Sequence, residues 1–178
     1  MSQLTDRMIR AAKLDANVYE EVEADESSMG QAITVVIIAS LAAGIGSITT
    51  AGISGIVIGT LSALAGWFIW AYLTYFIGTK MLPEPQTESS PAELLRTIGF
   101  SSAPGVIRIL AIIPGLATLV FIVGGIWMLV AMIIAVRQAL DYQSTLRAVG
   151  VCLIGWLIQA LVLGLVIVLF AGPQPGAM

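Results

Sequence analysis

From Gln31 to Thr79 the chain carries no Asp, Glu, Lys or Arg. A stretch that long without an ionisable side chain is either buried in protein or immersed in lipid, and it exceeds what the core of a 178-residue chain can enclose. Composition agrees: 58% of residues are hydrophobic and 11% charged, against roughly 25% charged in soluble domains. Lipid offers no hydrogen-bond partners, so each crossing must satisfy its own backbone. The expected fold class is therefore all-α, a polytopic bundle of membrane helices.

A crossing needs about 20 predominantly apolar residues. On that rule the spans fall near Gln31–Ser47, Ser54–Gly78, Ser101–Ile113, Ala117–Val136 and Ala148–Ala171. The third is the least regular, being short and containing Pro104, Gly105 and Arg108. Charge decides for it. With five crossings the N-terminal tail, the Lys80–Thr97 linker and the Arg137–Arg147 loop share one side and hold every Lys and Arg except Arg108. The positive-inside rule makes that side cytosolic. Were the third segment to dip in and return, Arg137 and Arg147 would lie outside and the bias would vanish. The expectation is five spans with a cytosolic N-terminus, divided into a tail (1–28) and a membrane domain (29–178). The tail lacks the short basic start and small-residue cleavage site of a signal peptide, so the first apolar segment is expected to stay as an anchor.

Seven of the eleven acids precede Met29, five of them in the run Glu20, Glu21, Glu23, Asp25, Glu26. An acidic tail disfavours nucleic acid or anionic lipid as its partner. Leu4, Met8, Ala11, Ala12, Tyr19 and Val22 form a rough helical stripe that Asp15 interrupts; a short interfacial or docking helix and a partly ordered tail both account for it. Further on, Pro83–Pro91 resists helix. Ser90 followed by Pro91 and Glu93 then reads as a helix cap, giving a short amphipathic helix Pro91–Ile98 that leads into the third span.

Groups that could carry chemistry are sparse. Histidine is absent and Cys152 is the single cysteine, which excludes a thiol pair, a zinc set or histidine acid/base work within one chain. No phosphate-cradling loop and no nucleophile elbow is present. The expectation is a non-enzymatic protein without cofactor or metal.

Arg108 is the most informative single residue, because an arginine at the centre of a span costs about 2.5–3.5 kcal/mol unless it is compensated. Carbonyls freed around Pro104-Gly105 and Pro114-Gly115 are one source of compensation. Asp141, the only acid after Glu93, is another, although it also lies four residues after Arg137 and can pair locally. Arg147 opens the fifth span and is expected to snorkel at its boundary. Cys152 and Gln159 read as packing and interhelical hydrogen-bonding residues.

Ala51, Gly55, Gly59 and Ala63 form a ridge of small residues on the second span, and Ala39, Ala43 and Ser47 a similar one on the first. The two are expected to pack as a hairpin within one subunit, with assembly into a homo-oligomer as the other use of the ridge. Trp67, Phe68, Trp70, Tyr72, Tyr75 and Phe76 read as an aromatic belt at the headgroup level.

Between Glu93 and Val151 the sequence runs Glu-Leu-Leu-Arg-Thr-Ile-Gly-Phe-Ser-Ser-Ala-Pro-Gly, then Ile-Pro-Gly, Gly-Ile-Trp-Met-Leu-Val, Arg-Gln-Ala-Leu-Asp-Tyr and Arg-Ala-Val-Gly-Val. This resembles the Yip family of Ypt/Rab-interacting membrane proteins, and looks most like its prokaryotic members. The most specific pieces are Gly99-Phe100 with Ala103-Pro104, and Trp127 followed by Arg137 and Arg147-Ala148. The resemblance covers spans two to five well and the tail loosely. It implies five spans with a cytosolic N-terminus, in agreement with the charge bias. Eukaryotic relatives act with small GTPases in vesicle budding and membrane traffic; for prokaryotic members the resemblance implies a fold and little chemistry.

The function expected is that of a non-enzymatic scaffold or partner-binding protein of the membrane-organising or trafficking type. The tail and the Pro91–Ile98 helix are its docking surfaces, and other membrane or cytosolic proteins are its partners besides the bilayer. The alternative is a small transporter or channel subunit using the proline-broken third span and Arg108. Transporters usually carry internal repeats, and none is evident here. Short loops favour a prokaryotic plasma membrane.

Overall fold

The computed structural model describes residues 2–170. Among them are seven α-helices and no strand: α1 (Gln3–Ala12), α2 (Ala16–Ala24), α3 (Met29–Gly46), α4 (Ile48–Phe76), α5 (Pro91–Ser101), α6 (Ala117–Ala139) and α7 (Thr145–Phe170). Five segments are long and apolar enough to cross a membrane: Glu26–Gly46, Ile48–Met81, Pro91–Ile112, Ala117–Ala139 and Thr145–Val162. The protein is an all-α polytopic membrane bundle. Ala171, the expected end of the fifth span, lies outside the described residues.

The third crossing departs from expectation. Instead of a short surface helix followed by a separate span, α5 continues through Ser102 into a 3-10 segment, Ala103–Ile112. The start is capped as the sequence implied: the Ser90 hydroxyl accepts from the Glu93 N–H at 3.3 Å and the Glu93 carboxylate from the Ser90 N–H at 2.8 Å, with Pro91 in the first turn. Pro104 falls in the first turn of the 3-10 segment, where its missing N–H costs no hydrogen bond. At about 1.5 Å per α-helical and 2.0 Å per 3-10 residue, the whole crossing spans roughly 35 Å. Leu94 through Ser101 are all buried, because α5 is enclosed by α2, α3, α4 and α6. Only its first turn reaches the surface, with Ala92 exposed and Pro91 and Glu93 half-buried.

The ridge on the second span does not make the hairpin. The helices α3 and α4 meet where Gly44 faces Ile56, and a Cβ on Gly44 would lie 3.1 Å from the Ile56 side chain. Gly59 has nothing within 4 Å of where a side chain would begin, and Gly55 meets only Ala51 of its own helix. Ala63 is half-buried. Rotation of α4 about its axis points Ile56 at α3 and leaves Gly55 and Gly59 off the contact. The first half of α4 projects Ile53 (75% exposed), Val57, Ile58 and Leu61 outward, as lipid-facing side chains would be. Gly52, at φ +65°, breaks the helix just after the turn. At the close of α3 the backbone contact is tight: a Cβ on Gly46 would lie 2.1 Å from the Arg108 carbonyl oxygen.

Two apolar clusters hold the bundle. One gathers Ala71, Ile77, Leu94, Val136, Leu140 and Val151 from α4 to α7. The other joins the tail to the spans, with Val18, Tyr19 and Val22 against Ala32, Val35, Phe100, Ala103 and Ala135. Of the two readings of the tail, the docked helix is the one seen. It forms as two helices because Asp15 caps the second: its carboxylate accepts from the Asn17 N–H at 3.0 Å, after Leu14 turns the chain at φ 63°.

Candidate functional site

The polar groups gather at one end of the bundle, where the tail closes over α5 and α6. Arg7 is 2% exposed. Its guanidinium donates to Glu21 and Asp25 at 2.8 Å each and to Gln31 at 3.0 Å. Arg10 donates to Asp15 at 2.9 Å and to the second oxygen of Glu21 at 2.6 Å. Much of the acidic run is thus neutralised within the tail. Hydrogen bonds from Arg10 and then Arg7 hold the Glu21 carboxyl below its ordinary range, and Arg10 does the same for Asp15.

The bundle in turn caps both tail helices at their C-termini, where backbone carbonyls lack partners. Trp127 Nε1 donates to the Ala12 carbonyl at the end of α1, at 2.8 Å. Arg96, 5% exposed, donates to the carbonyls of Val22 and Glu23 in the last turn of α2. A cation at a helix C-terminus also complements the helix dipole. The amide of Gln138 adds a bond to Glu20 at 2.6 Å. Glu23 is left half-buried among like charges. Burial, then Asp141, Glu93 and Glu20, push its carboxyl up to about 7, with only Arg96 opposing.

On the same end, the linker after α4 is stitched to the α6–α7 turn. Glu84 accepts from the N–H groups of Gln143 (2.9 Å) and Ser144 (3.3 Å) and from the Gln86 amide (2.6 Å), which hold its carboxyl below the ordinary range, the Gln143 N–H foremost. The Tyr142 hydroxyl lies 2.9 Å from the Gly78 carbonyl and 2.8 Å from that of Leu82, donating to one at a time. Tail, linker and α6–α7 turn therefore share one end, the arrangement required for all Lys and Arg but Arg108 to lie together.

The singled-out residues disperse. Arg108 and Asp141 do not meet. The Arg108 side chain runs across Gly124 and Gly125 of α6, its guanidinium 5.6 Å from the centre of the Phe121 ring. Its Nε is buried without a hydrogen-bond partner, so none of the freed carbonyls is bonded to it. Asp141 lies at the tail-capped end, at φ 52° just past the end of α6, and its carbonyl accepts from Gln86 at 3.0 Å. Nor does Asp141 pair with Arg137 among the described residues. The helix stops at Ala139, so the i,i+4 geometry is lost, and Arg137 donates to the Tyr142 carbonyl at 3.2 Å instead. Arg147 reaches the Pro83 carbonyl and lies 3.5 Å from Glu84. Pro104 is buried.

Arg7, Arg96 and Glu84 were not singled out by the sequence, and Trp127 stood out only through the family resemblance. A charged residue inside Leu94-Leu95-Arg96-Thr97-Ile98 was a usable signal for Arg96. Arg7 gave none, because its partners lie 14 and 18 residues away, on α2 and just past its end.

No curated protein and no solved structure matches the chain. The family model of the Yip1 domain matches residues 16–172, from the start of α2 through α7. The chain belongs to the Yip1 domain family.

Proposed function

We propose that this protein is a non-enzymatic membrane scaffold whose tail-capped end presents a partner-binding surface to the cytosol. The observation that carries this reading is the double capping of the tail by Trp127 and Arg96. A tail whose helix ends are bonded into the bundle is a folded platform rather than a tether. Its outward side shows the exposed acids Asp6, Glu20 and Glu26, so the complementary partner is a protein with a basic surface. The cations gathered at this end support a cytosolic placement. Short loops favour a prokaryotic plasma membrane as host, and a role in membrane organisation or traffic fits the family.

The test is a mild-detergent pull-down from native membranes with wild type and with Asp6→Lys/Glu26→Lys, both side chains being exposed. A protein that accompanies wild type and is lost from the charge-reversed variant supports the proposal. Identical co-purifying proteins with both, or none above an unrelated membrane-protein control, sinks it.

The alternative, a small transporter or channel subunit, draws on Arg108. It has less support, because among the described residues the space beside Arg108 holds no other charged side chain and a hydrophilic substrate needs polar groups along its path.

A further inference from the structure

Next to Arg108 the helices α3, α4, α6 and α7 enclose a cavity of about 700 Å³, within the roughly 300–1,000 Å³ of small-molecule sites. Its walls are mostly apolar, with Ala39, Trp70, Met128 and Met132 among them and Ser40, Ser102 and Gln159 as polar side chains, and among the described residues Arg108 is its only charged group. Leu153 and Trp156 line it and are also 57% and 71% exposed on the outer face. The cavity therefore opens sideways, toward the bilayer.

Two features of Arg108 point to an occupant. Its Nε is a buried donor with no partner, and the nearby Phe121 ring can stabilise the charge but cannot replace a hydrogen-bond acceptor. Gly124 and Gly125 keep the path of the side chain clear: a Cβ on Gly124 would come within 3.3 Å of its Cγ, and one on Gly125 within 3.8 Å of a terminal nitrogen. What the site lacks is an anionic acceptor, and what its walls would cover is a hydrocarbon chain.

We propose that this cavity binds an anionic phospholipid entering from the bilayer, with an acyl chain along the apolar walls and its phosphate on the Arg108 guanidinium. The terminal nitrogens beside Gly125 on the cavity wall would donate the charge-assisted bonds, while Nε stays packed against Gly124. A zwitterionic lipid brings a second cation beside the arginine in a low-dielectric setting and is disfavoured. The guanidinium lies near Gly125, eight residues past Ala117 and so about 12 Å along α6 from its start. The bound headgroup is held deeper than its neighbours in the leaflet.

The test is native mass spectrometry of the full chain in detergent, titrated with dioleoyl phosphatidylglycerol or dioleoyl phosphatidylcholine. Wild type should bind the anionic lipid about tenfold more tightly, and Arg108→Gln should reduce that affinity to the zwitterionic level. Gly66→Leu is the second variant. Gly66 lines the cavity with nothing within 4 Å of its missing side chain, so leucine projects into the space, narrows it and leaves Arg108 in place. It should weaken binding of both lipids, and it decides the matter if Arg108→Gln does not fold. Equal binding of the two lipids by wild type overturns the proposal, as does unchanged phosphatidylglycerol affinity in Gly66→Leu.

Discussion

Tyr19→Ala tests how the tail is held. Tyr19 is fully buried, the largest such side chain among the described residues, and it comes from α2 while its neighbours Ala32, Val35, Phe100 and Ala135 belong to the spans. Its removal leaves a cavity that fixed spans cannot collapse. Truncation of a buried aromatic costs about 3–5 kcal/mol, and the lower figure is apt where two short helices can readjust. The hydroxyl contributes little, because its bond to the Ala11 carbonyl is 3.4 Å long; Tyr19→Phe should be nearly neutral. If the tail opens as a unit, about 3 kcal/mol taken from its opening free energy speeds exchange of the α1 and α2 amides roughly 100-fold. Exchange in the core of α6 should not change. Hydrogen exchange read by mass spectrometry on detergent-solubilised protein gives all three numbers. Equal tail exchange in wild type and Tyr19→Ala would refute the inference that this cluster holds the tail.

Two further outcomes are expected. The folded Glu23 carboxyl, at about 7, stands above its ordinary value of 4.5, so its contribution to tail docking is fully present below about pH 4.5 and is lost as pH rises through 7. Exchange of α2 amides, corrected for the intrinsic pH effect, should be slower at pH 5.5 than at pH 8, and Glu23→Gln should flatten that difference. Gly46→Ala drives a methyl group into the Arg108 carbonyl and should cost about 1–3 kcal/mol. Gly59→Ala, facing open space, should be neutral or stabilise by up to about 1 kcal/mol. Thermal midpoints by size-exclusion assay separate the pair, and equal midpoints would contradict the contact.

The lesson for reading such a chain lies in which contacts are local. The Ser90–Glu93 cap was legible because its partners are three residues apart, and Asp15 was legible as a break because capping residues interrupt stripes. Arg108 was legible as an oddity, yet its surroundings were not: neither the expected carbonyls nor Asp141 is its partner, and it crosses α6 instead. The same holds for the small-residue ridge, whose face is set by the rotation of α4.

The sequence by itself determined the number of spans and the gathering of loops and charge at one end, because apolar length and charge placement are one-dimensional properties read directly by the bilayer; it placed the start of the third span ten residues late, at Ser101 rather than Pro91. Only the tertiary structure decided how each helix is rotated and what its polar residues touch. The spans are apolar on every side, and lipid is as apolar as the bundle interior, so no hydrophobic stripe marks the inward face. Packing alone sets the rotation of α4 and the direction of Arg108. In the tail, which meets water, the stripe through Met8, Tyr19 and Val22 did mark the buried face. Its partners, Phe100 and Ala135, became known only when the chain was folded.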